Sequence, residues 1–121
     1  YVDVQLIGTG KIARAAIIGQ QGGVWAKSPG YELSLEEQKA IIGGFSNHSA
    51  VQGSGIRAAG QKFFTLQANE RSIYGKKQAD GIILVKTTLA VLVAEYVAPT
   101  QAGEATTVVE NLADYLINLK F

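Results

Sequence analysis

The sequence contains no cysteine and a single histidine. The first absence excludes disulfides and thiolate metal centres and suits a reducing compartment. The second leaves His48 as the sole imidazole, in the polar stretch Asn47-His48-Ser49. Charge is also sparse: 17% of residues are charged and the formal net charge is +1. A field that weak does not draw the whole molecule to nucleic acid, so any electrostatic partner must use a local patch. No apolar run approaches the ~20 residues of a membrane-spanning helix. No secretory leader, internal repeat or low-complexity tract is visible.

What is present is apolar residue. Hydrophobic side chains make up 47% of 121 residues, enough to bury a core and argue against disorder, and the length predicts one domain over 1–121. Fourteen glycines punctuate short apolar runs, the pattern of a sheet with tight turns. Residues 1–7 read as a short amphipathic helix stopped by Gly8 and Gly10. Ile12–Gly19 and Val24–Lys27 read as a hairpin about the turn Gln20–Gly23. Ser34 stands three residues before Glu37, the spacing of a capping box, and predicts a helix to Phe45. Residues 46–55 read as a polar loop.

Further strands are predicted near Ile56–Arg57, Lys62–Gln67, Ser72–Lys76, Ile82–Lys86 and Leu89–Glu95, with Thr87-Thr88 as a tight link. Ile82–Val85 and Leu89–Ala94 are apolar without alternation, which marks central strands covered on both faces. Pro99 opens a last helix over about 100–119. On its wheel Ala105, Val108, Val109, Leu112, Leu116 and Leu119 share one face, while Gly103, Thr106, Thr107, Glu110 and Asp114 share the other. The expected fold is α+β: a central antiparallel sheet of about six or seven strands, with N- and C-terminal helices on one face and a middle helix on the other.

Catalytic signals are weak. His48 lacks a nucleophile elbow, and no metal-ligand cluster is apparent. Gly8-Thr9-Gly10-Lys11 lacks Walker spacing and reads as a helix stop. Glu36 and Glu37 suit the first turn of a helix, where they favour its dipole. No enzyme activity and no cofactor are expected. Two features reach past folding. Tyr1, Trp25, Tyr115 and Phe121 fall near the terminal helices and the second strand, and flat rings with polar tips suit a polyproline II peptide. The alternative is that the rings plug a core edge. Arg71, Lys76 and Lys77 cluster around one strand, with Lys62 and Lys86 on strands expected to neighbour it. They suit an acidic protein surface or anionic lipid, or form a solvated face.

The residues resemble the profilin family along essentially the whole chain. Tyr1-Val2-Asp3 with Gly8-Thr9-Gly10-Lys11, Gly23-Val24-Trp25-Ala26, Gly60-Gln61-Lys62-Phe63 and Arg71-Ser72-Ile73-Tyr74-Gly75-Lys76-Lys77 carry the likeness. So do Gly103-Glu104-Ala105-Thr106 and Leu112-Ala113-Asp114-Tyr115-Leu116-Ile117, in the manner of shorter, non-vertebrate members. The resemblance implies binding of monomeric actin, of proline-rich segments of actin-assembly factors, and of phosphoinositide lipids at the membrane surface. It implies no catalysis, no cofactor and no nucleic acid, in a cytoplasmic, cytoskeleton-associated eukaryotic setting.

The implied proline-rich site is Tyr1, Trp25, Tyr115, Leu116 and Phe121. The implied actin surface is Lys62, Phe64, Gln67, Arg71, Lys76, Lys77 and Lys86, continuing onto Gln101, Gly103, Thr106, Thr107 and Glu110. The implied lipid site is Lys62, Arg71, Lys76 and Lys77, so lipid and actin should compete. Four departures from the family stand out. Its usual tryptophan falls before Tyr1, and Gln67, Thr107 and Leu89 replace common basic or polar residues. Two readings from other classes are a small-molecule or sensory domain with a cavity under the sheet, and a hydrolase using His48.

Overall fold

The two alternation-free apolar runs lie at the middle of a seven-stranded antiparallel sheet. The computed structural model describes residues 6–121, so residues 1–5 of the helix expected over 1–7, Tyr1 among them, lie outside the described residues. The strands are β1 (Arg14–Gly19), β2 (Val24–Lys27), β3 (Ile56–Ala58), β4 (Gln61–Ala68), β5 (Ser72–Lys77), β6 (Asp80–Lys86) and β7 (Ala90–Tyr96). They run in the order β2-β1-β7-β6-β5-β4-β3. β7 is buried at every position, as a strand covered on both faces must be.

Three helices supply the cover among the described residues: α1 (Leu35–Gly44), α2 (His48–Ser54) and α3 (Ala102–Asn118). Ala15, Ile17, Ile83, Val85, Leu92 and Ala94 face α3 and meet Ala105, Val109, Leu112, Ala113 and Leu116. The alternate residues Ile18, Ile73, Ile82, Leu84, Val91 and Val93 meet Ile41, Phe45 and Val51 on the other face. Each fully buried aliphatic side chain contributes about 1.5–3 kcal/mol, so both layers hold the sheet.

The start of α1 follows its sequence signal. Ser34 Oγ accepts from Glu37 N at 3.1 Å, and Glu37 Oε1 accepts from Ser34 N at 2.9 Å. The same carboxylate accepts from Ala59 N and Gly60 N in the β3–β4 turn. Burial raises the Glu37 pKa, but the Gly60, Ser34 and Ala59 amides outweigh it and hold the group below its ordinary 4.5.

The loop expected over 46–55 is instead largely α2. Asn47 caps it, its Oδ1 accepting from Ala50 N at 3.3 Å. Gly44 lets the two helices approach: a Cβ there would stand 3.3 Å from Val51 Cβ and 3.2 Å from Ile73 Cδ1. Gly8–Lys11 behaves as a stop. A 3-10 turn over Ile7–Thr9 ends at Gly10 with φ 77°, and Gly10 N donates to Ile7 O. One acid sits inside the sheet. Glu95, 2% exposed, accepts from Tyr31 Oη at 2.5 Å and from Arg14 Nη2 at 3.1 Å. Burial, then the Glu95 charge, pushes the Tyr31 phenol far up, so the pair is a neutral phenol on a carboxylate that also meets a guanidinium.

Candidate binding surfaces

The aromatic end is assembled by two turns and the end of α3. The β1–β2 ladder shifts register between Ile17 and Ile18, pairing Ile17 with Ala26 and Ile18 with Val24. Trp25 is therefore the extra residue of a bulge, a device that re-aims a side chain. Its indole lies against Gly19 and remains 53% exposed. Gln20 N donates to Leu89 O at 2.9 Å, and Gln20 Nε2 reaches Thr87 O and Thr88 O at 2.5 and 3.1 Å. The β6–β7 turn in turn holds the Phe121 carbonyl, through Leu89 N and through Thr87 Oγ1 at 2.8 Å. Trp25 and Phe121 thus share one end of the molecule, and Phe121 is 47% exposed.

Tyr115, half exposed, flanks a groove of about 470 Å³ lined also by Thr9, Val108, Asn111 and Leu112. Leu116 differs from its expectation as a groove contributor. It is 4% exposed and packs in the α3 core, so it supports Tyr115 from beneath. Leu89, which stands where the family commonly has a basic or polar residue, sits in the turn tied to Phe121 at the aromatic end. Of the residues placed on the core face of the wheel, Val108 is half-buried and packs against the α3 core, while Leu119 is exposed; Ala113, assigned to neither face, is buried.

The second surface lies on the opposite flank of α3. That helix covers β1, β7 and β6 but leaves β4 open on the same side. Phe63, pointing to the α1 face, is 2% exposed, while Phe64 on the α3 side is 74% exposed. Strand pairing sets Phe64 beside Lys76 and Gln67 beside Tyr74, and Tyr74 packs against the α3 core. Lys62, two residues before Phe64, shares their face. Gly103, Thr107 and Asp114 are exposed along the adjacent flank, with Thr106 and Glu110 half-buried and Gln101 capping the helix.

Glu110 joins helix to sheet. Its Oε2 accepts from Ser72 Oγ at 2.7 Å and Tyr74 Oη at 2.6 Å, and its Oε1 accepts from Arg71 Nε at 3.1 Å. Arg71 Nη2 also donates to Asp114 Oδ1 at 2.8 Å. The Asp114 bond raises the Arg71 pKa above its ordinary value; burial opposes it, and the charges of Glu110 and Asp114 outweigh that opposition. Burial, then the Glu110 bond, raises the Tyr74 phenol. Arg71 therefore spends its charge inside the protein.

Register also separates the lysines that sequence grouped. Lys76 shares the α3 side with Ser72 and Tyr74. Lys77 falls on the α1 side with Ile73 and Gly75, where its Nζ meets Gln61 Oε1. Lys86 follows Ile82 and Leu84 to that same α1 side. The structure therefore brings together Lys62, Phe64, Gln67 and Lys76 with the α3 flank, and leaves Lys77 and Lys86 across the sheet. Leu66, 63% exposed beside Phe64, was missed; the bulge between Thr65 and Gln67 breaks the alternation that would have signalled it.

The remaining readings find little support in the geometry. His48 is half-buried and its Nε2 lies 3.0 Å from Phe45 O; no serine or carboxylate bonds it among the described residues. The space between α1 and the sheet beside Ile41, Val51, Ile56 and Leu84 is about 20 Å³, far below the several hundred Å³ of a ligand cavity.

Comparison with known proteins finds relatives along the whole chain. The profilin family profile matches residues 1–121. Profilin-A of Physarum polycephalum is 51% identical over 116 residues, covering 96% of this chain and 92% of that relative. The solved profilin of Schizosaccharomyces pombe is 48% identical with a TM-score of 0.97, covering 100% of this chain and 97% of the other. Mouse profilin IIa, solved in complex with a double repeat from the FH1 domain of mDia1, shares the fold at 18% identity and a TM-score of 0.84, covering 100% and 96% of the two chains. The match along the whole length, at this identity and in this fold, places the chain in the profilin family.

Proposed function

We propose that the chain binds monomeric actin through the α3–β5–β4 surface and proline-rich segments of actin-assembly factors through the aromatic end. Both partners bind at once, so the protein buffers actin monomers and delivers them, on a proline-rich tether, to growing filament ends in the cytoplasm. One observation carries this reading. The core stripe of α3 is flanked on one side by Val108, Asn111 and Tyr115 and on the other by Gly103, Thr107, Glu110 and Asp114. At about 100° per residue the mean directions of these flanks differ by about a right angle, so two partners can approach one helix from different sides.

The chemistry of each flank suits its partner. Open rings pack on proline rings, and a phenol or indole N–H can donate to the exposed carbonyls of a polyproline II backbone. An exposed Phe64 ringed by Lys62 and Lys76 offers an apolar anchor with a polar rim. The same two lysines are the candidates for phosphoinositide headgroups, which would then compete with actin; Arg71, paired with Glu110 and Asp114, and Lys77, across the sheet, contribute less. Titration of Trp25 fluorescence with a polyproline peptide, alongside an actin-monomer sequestration assay, tests the assignment. A saturable emission change and sequestration of actin support it; neither occurring would overturn it.

A further inference from the structure

We infer that Gly19 is a positioning residue for the aromatic end: its missing side chain is the seat that sets the tilt of Trp25. The inference rests on the proline-rich reading for its functional consequence, but its structural content does not. A Cβ built on Gly19 would stand 2.7 Å from Trp25 Nε1, closer than a Cβ approaches another heavy atom, and a tight 3.1 Å from Trp25 Cε2. Backbone conformation does not explain the glycine. Gly19 is not among the positive-φ glycines, whereas Gly22 and Gly23 in the following turn are, at 98° and 90°. The residue closes β1 in a regular ladder opposite Ala90, a place where strands ordinarily carry a side chain. What the position excludes is the volume the indole occupies.

The surroundings make that seat rigid. Gly19 N donates to Gly23 O, and Gly22 N to Gly19 O, each at 2.9 Å. Gly23 N donates to Oε1 of Gln38 at 2.9 Å, and Gln38, 4% exposed, donates from Nε2 to Leu33 O at 3.0 Å. The chain entering Trp25 is thus held from α1, and the ring it carries rests on β1. The indole N–H, at the edge over Gly19, makes no hydrogen bond among the described residues, so it remains a donor for a peptide carbonyl. A side chain at position 19 would lift that edge and turn the donor.

The test is Gly19→Ala. Trp25 is the sole tryptophan, so its emission reports this ring alone. The variant is expected to shift the emission and weaken binding of a polyproline peptide about tenfold, with far-ultraviolet dichroism and actin affinity retained. In a Trp25→Leu background, where no atom reaches the Nε1 position, Gly19→Ala should cost less than about twofold. Unchanged emission and affinity in Gly19→Ala would overturn the inference, as would an equal loss in both backgrounds. Should Gly19→Ala fail to fold, folding of the double variant supports the ring as the obstacle, and failure of both refutes it. If the wild-type protein does not bind polyproline, the proline-rich reading falls, while the emission shift still decides whether Gly19 seats the ring.

Discussion

The two flanks of α3 satisfy their polar groups in opposite ways. On the β5 side Arg71, Ser72, Tyr74, Glu110 and Asp114 satisfy one another. What that side leaves to a partner is an apolar ring and two lysines, Phe64 with Lys62 and Lys76. At the aromatic end the hydrogen bonds run between backbone and side chains: Gln20 and Thr87 donate from the turns, and Gln38 in α1 accepts from Gly23 N. Those bonds fix the frame and leave the rings of Trp25 and Phe121 open. Charge counted along a sequence is therefore not charge available to a partner. Exposed rings on an immobilised frame are available at small ordering cost.

The largest effect should come from Trp25→Ala. Loss of a central aromatic anchor should weaken polyproline binding by about 2 kcal/mol or more, measured by calorimetry, with actin affinity within about twofold. Equal loss of both, in a folded protein, would break the separation of the flanks. Phe64→Ala should do the reverse, costing about 1–2 kcal/mol in actin affinity and leaving polyproline titrations unchanged. A smaller effect separates the lysines. Lys76→Glu should weaken actin and anionic-vesicle binding a few-fold, and Lys77→Glu added to it should contribute little, since exposed charges are individually worth about 0–1 kcal/mol. Equal effects of the two single variants would show that both faces of β5 meet the partner.

The smallest effect is a control lying on neither flank. Glu37, holding the β3–β4 turn, has a folded pKa below its ordinary 4.5. Its stabilisation is complete above that unfolded value and is lost as pH falls through the depressed folded one. Denaturation by urea should therefore show wild type losing stability faster than Glu37→Gln as pH drops below about 4.5. Parallel pH profiles would contradict the role of the Gly60 and Ala59 amides.

Much of the fold is legible in the sequence because it rests on short-range signals. Ile82–Val85 and the run ending at Ala94 announce doubly covered strands, and Ser34 with Glu37 announces α1. The wheel of α3 correctly buries Ala105, Val109, Leu112 and Leu116. What escapes depends on partners far along the chain. α2 carries a cap at Asn47, yet within it only Val51 is a buried apolar anchor; its stability comes from packing on Gly44 and the sheet. The division of Lys76 from Lys77 needs only alternation, but the side α3 covers needs the tertiary structure. The neutralisation of Arg71 depends on carboxylates about forty residues away, a pairing no local pattern encodes. Trp25 is legible as an aromatic, while its aim depends on a bulge and on the bare Cα of Gly19.

The central claim is that one helix serves two partners on separate flanks. The direct measurement is the affinity of the protein for a polyproline peptide, by Trp25 fluorescence, without actin and with saturating actin monomer. The account predicts the same affinity within about twofold and a stable three-component complex by sedimentation. Displacement of the peptide by actin would contradict it.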